Sequence, residues 1–150
     1  MRVALVRELG GIDRVELAEL PDPAPAAGQV LVRVHGAGAG PWDVGFVSGG
    51  FPGLTLPFVP GQEIAGVVEE IGDGADLRPG ERVYGVLFPA GEAFAAHGDR
   101  ARLETQAHLV EAGTLRPQIE AVLPLEQARE ALARVAGGHT RGKIVLQIGQ

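Results

Sequence analysis

The sequence predicts a mainly β domain with a few packed helices. Three observations carry that expectation. Short valine-rich runs separated by turn residues fill the first two thirds of the chain. Glycine and proline are frequent, at 23 and 11 of 150 residues, without a collagen-like period, which favours many turns and short strands. The last third then changes to helical spacing, and strands followed by helices argue against alternating βαβ units. A chain of 150 residues suits a single domain, so residues 1–150 are read as one unit.

Residues 3–7 read as a first strand, and 15–20 pair back with it through the Gly10-Gly11 turn. Pro21, Pro23 and Pro25 then forbid helix and remove ladder donors, which makes an extended connector. QVLVRVH at 29–35 alternates, with Val30, Val32 and Val34 predicted on a fully buried face. Residues 36–60 read as a long irregular segment, rich in glycine and proline yet apolar, so it must pack against a core, a ligand or another chain. Residues 62–71 form a strand in which Gly66 marks a bulge or a close approach. A Pro79-Gly80 turn feeds another strand at 81–87. Asp99 is placed to cap a helix over 100–112, with Leu103, Ala107 and Val110 on one face and Gly113 as its stop. Residues 115–123 are extended. Pro124 opens a second helix with Leu125, Ala128, Leu132 and Val135 in register, ended by Gly137-Gly138. Residues 143–148 form a last strand.

Composition excludes several chemistries. The net charge of −6, without a basic run, disfavours binding to nucleic-acid phosphates. Cysteine is absent, which removes disulfides, thiolate catalysis and cysteine-ligated metals. Ser48 is the one serine, and its VSGGFPG context lacks the G-x-S-x-G elbow. Lys143 is the one lysine. No apolar run reaches ~18–20 residues and the N-terminus lacks a signal core, so a soluble, cytoplasmic protein with no membrane partner is expected.

Four motifs carry a resemblance: HGAGAGPWD at 35–43, PFVPGQEIAGVVEEIG at 57–72, LRPGERVYGV at 77–86, and the run from LVEAGTLRP to GKIVLQI at 109–148. Together they resemble the catalytic domain of the medium-chain dehydrogenase/reductase superfamily, in its zinc-free quinone oxidoreductase branch. The resemblance implies a GroES-like, partly open β-barrel. In that family a complete Rossmann domain lies between the third of these motifs and the fourth. Here only about 87–107 bridges the gap, too few residues for even one βαβ nucleotide unit of ~30 residues. No Rossmann domain and no resident cofactor are therefore expected. Gly36, Gly38 and Gly40 mimic a dinucleotide fingerprint, but the third glycine comes one residue early and Pro41 stands where a helix should start.

Asp43 matches the aspartate of the family's N-P-x-D loop, while Gly40 stands where the family has asparagine. Asp43 either ties down its loop through backbone N–H groups or, in an apolar wall, has a raised pKa suited to acid–base work. Gln62-Glu63 stands where zinc-containing relatives have His-Glu. Glutamine is a poor zinc ligand, and His35, His97, His108 and His139 lack metal spacing, so no metal is expected. Tyr84 and His97 complete the catalytic candidates as proton-transfer partners. Trp42, Phe46, Phe51, Phe58, Phe88 and Phe94, with Gln62 and Glu63, are candidate substrate-binding residues, with core packing as the competing role of the aromatics.

Three functions follow. The first is a cofactor-independent enzyme or binding protein, derived from a reductase, performing isomerisation, dehydration or cyclisation of a small hydrophobic substrate. The second is an NADPH-dependent quinone or enone oxidoreductase using a nucleotide site on another chain. The third is a non-catalytic assembly barrel or an engineered truncation. A surface bared by the missing domain favours a homodimer.

Overall fold

The computed structural model of the chain describes residues 1–49, 51, 53–87 and 100–149. Strands β1 (Arg2–Val6) and β2 (Val15–Glu19) form an antiparallel hairpin, Arg2 opposite Glu19 and Val6 opposite Val15. A 3-10 turn at Ile12–Arg14 joins them after Gly10 and Gly11, both at positive φ (145° and 107°), a region only glycine enters freely. The remaining strands are β3 (Val30–Ala39), β4 (Glu63–Ile71), β5 (Arg82–Val86), β6 (Ile119–Pro124) and β7 (Lys143–Gln147). They make one sheet in the order β5-β4-β3-β7-β6. Helix α1 (Pro41–Val47) follows β3, α2 (Arg100–Glu111) precedes β6, and α3 (Ala128–Ala136) lies between β6 and β7. This is the mainly β, GroES-like open architecture expected, without a doubly wound sheet among the described residues.

Three local expectations need correction. The stretch 36–60 is not irregular throughout: β3 runs on through the glycines to Ala39, and α1 starts at once. Ala37 and Ala39 are small inward-facing residues opposite Leu146 and Ile144, so the strand keeps its core face despite the low β-propensity of its glycines. Pro41 takes the first helical position, where its missing N–H costs nothing. Second, β6 and β7 pair in parallel across α3, so one βαβ unit is present after all. Third, Val30, Val32 and Val34 are half-buried, not fully buried. Helices α1 and α3 pack over the other end of β3, around Ala37 and Ala39.

The C-terminal elements follow their sequence patterns with small shifts. Pro124 ends β6, a 3-10 turn at Leu125–Gln127 follows, and α3 buries Ala128, Ala131 and Leu132 with Val135 half-buried. Along α2, Leu103 and Ala107 are half-buried but Val110 is 43% exposed. Gly113, at φ 70°, stops that helix. The proposed cap, Asp99, lies outside the described residues. None of the described helices is long and apolar enough to cross a membrane.

The core lies between one sheet face, the hairpin, α1 and α3. It joins Ala37, Ala39, Ile144 and Leu146 to Ala4, Val6, Val15, Phe46, Val47, Phe58 and the buried side of α3. Val6 and Phe58 exchange backbone hydrogen bonds of 2.9 and 3.0 Å, which fixes the hairpin to the segment before β4. The Arg129 guanidinium donates to the Val15 carbonyl and ties α3 to β2. Ile144 is 1% exposed at the centre of this cluster. Ile144→Ala is expected to cost about 2–5 kcal/mol, read as a lower urea midpoint at unchanged slope.

Candidate functional site

Side chains alternate across a sheet, so the strand register assigns each residue to the core face or to the open face. Ala37 and Ala39 point into the core. Gly36 and Gly38 therefore belong to the opposite, open side. Gly38 lies between Glu63 of β4 and Val145 of β7, and Gly36 between Ala65 and Gln147. Ala65 in turn pairs with Tyr84 of β5, and Glu63 with Val86. The same alternation puts Lys143 on the open face, next to Ile144 on the core face. The result is a floor of glycine and alanine, flanked by Tyr84 and Val86 on one side and by Val145 and Lys143 on the other.

Two side chains reach across that floor. Lys143 Nζ lies 2.7 Å from Glu63 Oε2, an ion pair that joins β7 to β4 over the intervening β3. The absence of a side chain at Gly38 makes this possible, since a Cβ there would stand 2.3 Å from Glu63 Oε2. Both partners remain partly open to solvent, at 49% for Glu63 and 36% for Lys143.

Asp43 sits at the end of the floor, 4% exposed. Its Oδ2 accepts from the Gly40 N–H at 2.8 Å and its Oδ1 from the Gly61 N–H at 3.0 Å. The carboxylate thus caps α1 from the third helical position and clamps that helix to the segment entering β4. Burial pushes its pKa up from the ordinary value of 3.8; the N–H groups of Gly40, Gly61 and Gln62 oppose the shift, and the neighbouring Glu63 charge adds to it. Gln62 is also buried, and its Nε2 has no hydrogen-bond partner among the described residues.

The structure thus brings Asp43, Gln62, Glu63 and Tyr84 to one end or one face of a single sheet. It separates the aromatics. Phe46 and Phe58 are core residues, 4% and 7% exposed. Phe51 packs on Phe46 with ring centroids 4.4 Å apart and on Trp42 at 5.4 Å. Trp42 itself is 53% exposed. The Tyr84 hydroxyl donates to the Leu103 carbonyl, which brings the start of α2 to β5. His97, Phe88 and Phe94 lie outside the described residues. Lys143 was missed by sequence reasoning. Its one available signal was that it is the only lysine in the chain.

Neither a metal nor a dinucleotide fits these residues. Asp43 spends both oxygens on N–H groups, Glu63 already faces an ammonium, and no three His, Cys, Asp or Glu side chains converge among the described residues. The helix that follows the glycines has only seven residues, and the Gly40 N–H is held by Asp43 where a phosphate would need it.

Known proteins can now be set beside this geometry. The family profile described as zinc-binding dehydrogenase matches residues 44–146. Rat quinone oxidoreductase is 37% identical over 87 residues, a match covering 56% of this chain and 26% of that protein. An acryloyl-coenzyme A reductase from Metallosphaera sedula is 35% identical over 74 residues, covering 49% of this chain and 22% of the relative. The matches thus span about a quarter of the curated relatives' length. The solved quinone oxidoreductase from Coxiella burnetii superposes with a TM-score of 0.88 at 13% identity, covering 99% of both chains. The barrel topology, the profile match over most of the chain and these relatives agree: the chain belongs to the medium-chain dehydrogenase/reductase superfamily.

Proposed function

We propose that this chain is a zinc-free, quinone- or enone-binding barrel, the substrate-holding half of a quinone oxidoreductase-like reductase, without a nucleotide site of its own. The open sheet face carries this reading. Its small residues Gly36 and Ala65, beside the Lys143–Glu63 pair that spans Gly38, would seat a flat, apolar ring against Tyr84 and Val86. The quinone and enoyl substrate classes are those named for the relatives. Acid–base turnover by Asp43 is the less favoured form of the reading, because both its oxygens are held by backbone N–H groups.

Equilibrium dialysis of the whole chain against tetramethyl-1,4-benzoquinone, and separately against NADPH, tests it. Saturable uptake of the quinone with no uptake of NADPH is expected. Absence of quinone binding overturns the proposal. Saturable NADPH binding by the isolated chain replaces it with an oxidoreductase that carries its own nucleotide site.

A further inference from the structure

We infer that the free edge of β2 is a dimer interface, where two copies of this chain join their hairpins as an antiparallel ladder about a two-fold axis at Ala18. β2 pairs with β1 on one side and with no strand on the other among the described residues. The Leu20 N–H donates to the Met1 carbonyl at 3.0 Å, which fixes the alternation along the hairpin. Ala18 and Glu16 therefore turn their backbone groups inward, to Val3 and Leu5, while Val15, Leu17 and Glu19 turn theirs outward. Val15 has none left, since its N–H donates to the Ile12 carbonyl and its own carbonyl accepts from Arg129. The N–H and C=O of Leu17 and of Glu19 remain.

One antiparallel register engages all of these groups with a second copy of the same strand. Leu17 lies opposite the partner's Glu19, Glu19 opposite the partner's Leu17, and the two Ala18 residues meet on the axis, where small side chains allow the close approach of a non-hydrogen-bonded pair. Val15, whose backbone is already engaged, falls opposite the partner's Pro21, which has no N–H to offer. Glu16 falls opposite the partner's Leu20, so no like charges face each other. Apolar surface and charge match in the same register. Leu17 is 51% exposed and, with Val15, Leu125, Ala128 and Arg129, lines a cavity of about 240 Å³. Leu17 and Glu19 share one face of the strand, so the partner's Glu19 arrives beside Leu17 and Arg129. Ion pairs near the hairpin join Arg2 to Glu126, Arg7 to Glu16 and Arg14 to Glu8, while Arg129 and Glu19 have none among the described residues. The two-fold brings these two together at both ends of the ladder. A proline and a glutamate at the required places are what this strand itself supplies, so the occupant is a second copy.

The test exploits the absence of cysteine. Ala18→Cys introduces a single thiol on the axis, within disulfide reach of its copy. Oxidised glutathione is expected to link Ala18→Cys into dimers at least about tenfold faster than Glu16→Cys, whose thiols the same register holds roughly 14 Å apart. The interface is small, so sedimentation equilibrium of the unaltered chain is expected to show monomer and dimer in proportions set by concentration. Leu17→Pro removes an outward N–H without breaking a bond inside the hairpin, and Glu19→Arg sets two cations together. Each is expected to raise the dissociation constant about tenfold or more, with the urea midpoint of Glu19→Arg unchanged. Equal linking rates, a dimer that survives both substitutions, growth beyond two copies, or a chain that stays monomeric up to about 1 mM overturns the interface. None of these outcomes bears on the ligand reading of the open face, which belongs to the other sheet.

Discussion

Gly66→Ala is expected to lower the unfolding free energy by about 2–4 kcal/mol, one of the largest effects available from adding a single carbon. A Cβ at this position of β4 would stand 2.2 Å from the Arg33 carbonyl oxygen and 2.9 Å from Val32 Cγ1. The first neighbour is backbone in the adjoining strand and cannot turn away. The ladder explains the closeness. Val34 pairs with Gly66 and Gly36 with Ala65, so His35 is an extra residue on β3 and the strand bulges there. Gly85→Ala is the control. It lies in β5 opposite Ile64, and a Cβ there meets nothing within 4 Å. That variant is expected to match the unaltered chain within about 0.5 kcal/mol. Urea unfolding of the two variants side by side checks the pair, and equal stabilities would refute the steric account.

Asp43→Ala is expected to cost about 2–4 kcal/mol, because it leaves the N–H groups of Gly40 and Gly61 without their acceptor in a buried setting. Its pH dependence follows from the raised pKa. A carboxyl group whose pKa is higher in the folded than in the unfolded state binds more protons when folded. Stability from that difference is complete below the ordinary value of 3.8 and is lost as the pH rises through the raised folded-state value. The gap in stability between the unaltered chain and Asp43→Ala is therefore expected to narrow with rising pH across that window. It should not close, since the ionised carboxylate still accepts from both N–H groups. A gap that widens with pH would mean that the N–H groups outweigh burial. Thermal unfolding at a series of pH values reads the sign directly.

The same residue shows how far the sequence could be followed. Its motif position marked Asp43 for attention, and the choice between loop anchor and acid–base group stayed open at that stage. Two distances settle where its oxygens go, and one of the donors, Gly61, lies 18 residues away along the chain. Lys143 illustrates the opposite case. Nothing in GKIVLQI sets it apart from a strand-end lysine; its partner Glu63 is brought to it by two ladders, β3 with β4 and β3 with β7.

Elements with a local signature were legible from the amino acids alone. The hairpin β1–β2, the strands β4, β5 and β7, and the stops at Gly113 and Gly137-Gly138 rest on alternation and turn chemistry within a few residues. Membership of the superfamily was legible too, through motifs spread along most of the chain. Long-range pairing supplied the rest. The glycines of 36–40 carry no hydrophobic pattern, so their place in β3 depended on the alanines between them finding Leu146 and Ile144. The parallel step from β6 to β7 depended on α3 burying Ala128, Ala131 and Leu132 against the core. Period and propensity act between neighbours in sequence, whereas a face, a register or an ion pair across three strands exists only once distant segments have packed together.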